Sequence, residues 1–124
     1  MGAVLVRNED VVKVQAFIPR GHRHVRLAVW LRCGRVIVFQ HATVDGIIRA
    51  FLSVSLHPTR RGAELVGGVV EGRKPGFARY QLVESRKDEG EVVAEGTGLL
   101  AGAADASVLC GEPCLEPEVG ENCG

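Results

Sequence analysis

Hydrophobic and polar residues alternate twice near the start of the chain. Over residues 11–18, Val12, Val14, Ala16 and Ile18 fall on one side and Lys13, Gln15 and Phe17 on the other, the period-two pattern of a half-buried strand. Residues 24–32 repeat it, with Val25, Leu27, Val29 and Leu31 opposite His24, Arg26, Ala28, Trp30 and Arg32. Pro19-Arg20-Gly21-His22 predicts a turn between the two, and Cys33-Gly34 a tight link to a third strand over 35–40. Residues 3–7 predict a short strand or arm, ended by the turn-prone Asn8-Glu9-Asp10.

The period then changes. Across residues 43–57, Val44, Ile47, Ile48, Phe51, Leu52 and Leu56 share one helical face. Thr43 is expected to cap the first turn and Pro58 to close the segment. If buried at about 1.5–3 kcal/mol each, the large apolar side chains make this stripe the main hydrophobic contribution, of which Gly46 returns only about 1 kcal/mol. A sheet is therefore expected to pack on this helix. Further strands are predicted over 63–70, 77–84 and 91–97, the first interrupted by Gly67-Gly68, the mark of a bulge or a close backbone approach. The order β-β-β-α-β-β-β with hairpin-length links predicts an α+β fold, an antiparallel sheet packed on one amphipathic helix. Residues 99–109 predict a weak helix or an ordered return. The whole is expected to form a basic domain over 1–98 and a weakly structured, flexible acidic tail over 99–124 that carries cysteines.

Charge sharpens this division. All 15 Lys and Arg residues lie within residues 1–87, together with six of the 15 acids, so that part carries +9 and the remainder −9. Such asymmetry points to a polyanion as partner, or to a tail that simply neutralises a basic body. Twelve of the bases are Arg, which suits bidentate phosphate contacts and equally a GC-rich or thermophilic source. No run of about 18 apolar residues predicts a membrane span, and no basic-then-apolar leader opens the sequence, so a cytoplasmic location is expected.

The chemistry on offer is that of binding. On the sheet face opposite the helix, Phe17, Arg26, Trp30, Arg32 and Arg35 interleave aromatics with guanidinium groups, as single-stranded nucleic acid requires for stacking and phosphate contact. Two basic loops add Arg60 and Arg61, then Arg73 and Lys74, with Arg79 and Tyr80 following. The expected function is non-catalytic binding of single-stranded DNA or RNA. The alternative is a protein–protein module, a homo-oligomer or assembly subunit, in which the same aromatics form an interface. No cofactor or metal is expected. Cys110-x3-Cys114-x8-Cys123 and His22-x-His24 fall short of a metal signature, and the tail cysteines read as free thiols, with a Cys110–Cys114 or a tail-to-body disulfide as the alternatives in a hyperthermophile. Ser53, Ser55, Ser85 and Ser107 lie in no nucleophile motif, so the sequence makes no positive case for an enzyme.

Overall fold

The computed structural model describes residues 2–72 and 79–111. The fold is mixed α+β, with several small sheets and two α-helices among the described residues. The chain divides into two compact units, one of Met1–Val38 with Gly98–Gly124 and the other of Phe39–Thr97.

In the first unit, β2 (Val11–Phe17), β3 (Arg26–Leu31) and β4 (Val36–Gln40) form an antiparallel sheet in the order β2-β3-β4, with β4 leading into the second unit. Both alternating stretches are strands. Lys13 lies opposite Trp30, Val14 opposite Val29, Gln15 opposite Ala28, Ala16 opposite Leu27 and Phe17 opposite Arg26. Val12 is an extra residue between the pairs Val11–Leu31 and Lys13–Trp30, a bulge that the alternation alone does not reveal. The tight link into β4 is closed by Leu31 N–H donating to the Arg35 carbonyl at 2.8 Å and Gly34 N–H to the Leu31 carbonyl at 2.9 Å. Gly34 has φ +103°, backbone territory that favours glycine.

The arm β1 (Val4–Leu5) pairs in parallel with β7 (Ala104–Asp105), so residues 104–105 are strand and not tail. A 3₁₀ turn, Ala106–Cys110, follows, started by the Asp105 carboxylate accepting from Ser107 N–H. Ala28, Leu31 and Ala106 are the buried apolar side chains among the described residues, each 3% exposed.

In the second unit, α1 (His41–Ser55) precedes the antiparallel hairpin of β5 (Leu65–Val69) and β6 (Tyr80–Glu84), and α2 (Glu89–Ala101) follows, its last turn already part of the first unit. The expected helix starts two residues earlier than Thr43 predicts. Gln40, whose side chain makes no capping bond, precedes its first turn, and the helix ends three residues before Pro58. The β5–β6 register is regular, so Gly67 marks close approach and not a bulge: the Tyr80 ring lies where a Cβ at Gly67 would stand.

Two expectations are corrected. Residues 91–97 are not a strand but the body of α2. Asp88 and Glu91 form a reciprocal cap, Glu91 N–H to Asp88 Oδ1 at 2.9 Å and Asp88 N–H to Glu91 Oε1 at 3.4 Å, which commits the segment to helix despite the β-branched Val92-Val93 pair. The strands also do not form one sheet on one helix; among the described residues they form three separate sheets. Of the tail, residues 99–111 are ordered as the end of α2, β7 and the 3₁₀ turn, while residues 112–124 lie outside the described residues.

Candidate functional site

The long helix is turned the other way round from its hydrophobic pattern. Thr43, Gly46, Ala50, Ser53 and Val54 form its covered side, and Gly46 is buried against Leu82 of β6: a Cβ at Gly46 would come within 2.5 Å of Leu82 Cδ1. Small residues let the helix approach the hairpin closely. Polar side chains then fasten it, Arg49 Nη2 donating to the Leu82 carbonyl at 3.0 Å and Arg60 bridging Ser53 Oγ at 2.9 Å and Glu84 at 3.2 Å. His57 closes the turn after the helix, its Nδ1 accepting from the N–H groups of Thr59 and Arg60. Five of the six residues of the expected inward stripe consequently face water, and Val44 alone is half-buried. Ile47, Ile48 and Leu52 are about half exposed, Phe51 is 66% exposed and Leu56 75%. Together these five side chains leave about 500 Å² of contiguous apolar surface uncovered, at the upper end of what monomeric proteins show.

The second feature is the face of β2 and β3 that carries Lys13, Gln15, Phe17, Arg26, Ala28 and Trp30. Trp30 is half-buried; its Nε1–H donates to Gln15 Oε1 at 2.8 Å, and Lys13 Nζ stands 4.3 Å from the ring centroid. That cation–π contact occupies one face of the indole. Phe17 is exposed, and Arg26 donates to the carbonyls of His24 and Val25. The opposite face carries Val14, Ala16, Leu27, Val29 and Leu31, of which Val14 is more than half exposed.

Of the residues expected to bind nucleic acid, the structure brings Phe17, Arg26 and Trp30 onto one face, beside Lys13, which the alternation also places there. Arg32 is directed elsewhere, its Nε donating to the Glu9 carbonyl at 3.0 Å, and Arg35 is exposed in the β3–β4 turn. Arg60, Arg61, Arg79 and Tyr80 belong to the second unit. There Arg60 is committed to Ser53 and Glu84, Arg79 pairs with Glu71 at 3.6 Å, and Arg61 N–H donates to Glu89. Arg73 and Lys74 lie outside the described residues.

Electrostatically the second unit is fastened by Lys87, which meets Glu95 at 2.7 Å and Glu64 at 3.4 Å. The hydrogen bond to Glu95 raises the Lys87 pKa, and the Ser85 hydroxyl, then Lys87, lower that of Glu64. In the first unit Asp105 is held below its ordinary value by Ser107 N–H and hydroxyl, with Arg7 adding charge.

Cys33 and Cys110 form a disulfide, their Cα atoms 6.2 Å apart. This corrects the reading of Cys110 as a free tail thiol and takes the alternative, a tail-to-body bond. Among the described residues no three His, Cys, Asp or Glu side chains converge as a metal site, and no helix is long and apolar enough to cross a membrane. Comparison with known proteins returns no match, whether to a family model, a curated protein or a solved structure.

Proposed function

We propose that this protein is a non-catalytic association module that pairs with a second copy of itself through the outer stripe of α1. The supporting observation is the exposure of Ile47, Ile48, Phe51, Leu52 and Leu56 on a helix whose other side is already occupied by β6. Two such patches of about 500 Å² meeting across a two-fold axis bury about 1,000 Å², the lower limit for a biological interface, before any polar rim is counted. A cytoplasmic setting accompanies this reading, and a hyperthermophilic source would accommodate the disulfide there. Light scattering on the eluting full chain tests it: the mass is expected to be that of two chains at micromolar concentration and to fall on dilution. A single-chain mass at every concentration refutes it.

A second reading, binding of single-stranded DNA or RNA, is favoured by the register that sets Lys13, Phe17, Arg26 and Trp30 on one face. It ranks second because Lys13 covers one face of the Trp30 ring, so a base stacking there displaces the ammonium. Fluorescence anisotropy against labelled single strands at several salt concentrations tests it. Trp30→Ala is expected to weaken binding without changing the salt slope, and Arg26→Ala to reduce the slope. Absence of binding at low salt refutes it.

A further inference from the structure

We infer that Cys33 is an exchange site at which a small carboxylate-bearing thiol opens the Cys33–Cys110 disulfide. The two sulfurs are not equivalent: Cys33 is exposed at the β3–β4 turn, whereas Cys110 is half-buried at the end of the 3₁₀ turn. A cavity of about 230 Å³, lined by Asp10, Arg32, Cys33 and Ser107, opens beside the more exposed of the two cysteines. Its volume suits a short molecule, and its chemistry selects one. Arg32 spends its Nε–H on the Glu9 carbonyl and forms no ion pair among the described residues, leaving the outer edge of the guanidinium for a carboxylate. Asp10 is the opposing charge in the cavity; one of its oxygens accepts from Arg7 N–H, which leaves its negative charge to temper the attraction.

The step is thiol–disulfide exchange. The incoming thiolate forms a bond to Cys33 Sγ, the Cys33–Cys110 bond breaks, and its electron pair leaves on Cys110 Sγ, which takes up a proton. No oxidant is consumed, and a mixed disulfide remains on Cys33. Release of Cys110 then leaves residues 104–110 held by the two-residue β1–β7 pair, buried Ala106 and the exposed Arg7–Asp105 pair at 3.6 Å. The site therefore couples a small thiol to the attachment of the segment that leads into the acidic C-terminus.

The test incubates the full, folded chain with reduced glutathione, quenches with acid at intervals and maps the adduct by peptide mass. Reduced glutathione labels only sulfurs that were in a disulfide. The first adduct is expected on Cys33, with Cys110 becoming alkylatable at the same rate. Arg32→Gln is expected to slow this about three- to tenfold, and Asp10→Asn, which keeps the acceptor for Arg7, to accelerate it. Exchange with 2-mercaptoethanol, an uncharged thiol without a carboxylate, is the control for damage to the cavity and should respond much less to both substitutions. A first adduct on Cys110, or equal responses of glutathione and 2-mercaptoethanol to the Arg32 and Asp10 substitutions, overturns the inference.

Discussion

Phe51 separates a helix stripe that awaits another chain from one that forms part of a folded core. With 66% of the side chain exposed, about 130 Å² of a ~200 Å² aromatic surface is still available. At about 25 cal/mol per Å², covering it is worth about 3 kcal/mol in each copy, or about 6 kcal/mol in a symmetric pair. Ordering costs and incomplete burial reduce that figure, so Phe51→Ser is expected to raise the dimer dissociation constant by about 100- to 10,000-fold. The folded monomer should feel much less, because only about a third of the ring is covered within the chain. Sedimentation equilibrium on wild type and variant reads the association, and circular dichroism on dilute monomer reads the fold. The refuting result is specific. If the stripe were core, Phe51→Ser would cost the monomer about 3–5 kcal/mol with no dependence on protein concentration.

The inner side of the same helix should respond in the opposite way. Gly46→Val forces a side chain into Leu82 and is expected to destabilise the second unit by about 1–3 kcal/mol, read by denaturant titration of dilute protein, where the stripe substitution has little effect. Asp88→Ala removes one half of the reciprocal cap and should cost about 1 kcal/mol, with a loss of helical ellipticity that Glu91→Gln, which keeps an acceptor, largely avoids. Because Asp105 is depressed in the folded chain, the unfolded state takes up its proton first as the solution is acidified. Its contribution is thus present above the ordinary carboxylate value and is lost as pH falls towards the lower folded one; in an acid titration Asp105→Asn should remove that part of the stability loss, and an unchanged profile would show that Ser107 and Arg7 do not act through this carboxylate.

The sequence makes the strands of the meander legible because each position there has one local constraint. Alternation over 11–18 and 24–32 assigns every side chain to a face, and the pairing of Lys13 with Trp30 and Phe17 with Arg26 keeps those faces. The helix shows where such reasoning stops. Its sequence contains two usable sides, a stripe of large apolar residues and a column of small ones at Gly46, Ala50 and Ser53, and hydrophobicity alone selects the stripe. What decides is a residue more than thirty positions away: Leu82 needs the room that Gly46 provides, and Arg49 reaches a carbonyl on the same strand. The error at residues 91–97 has a different origin. A local helix signal exists in Asp88-x-x-Glu91 and in Leu99-Leu100 following Val92-Val93 by seven residues, and the cap overrides the strand preference of the β-branched Val92-Val93 pair. Cysteine spacing could not choose between free thiols and the Cys33 bond, since that depends on β1 drawing residues 104–105 alongside itself. Each case turns on distance along the chain, and the exposed stripe extends the same logic by one step. When no described segment of its own unit covers Phe51 and Leu56, the partner that completes the pattern is sought in another chain, and concentration, which leaves intramolecular packing unchanged, becomes the variable that reveals it.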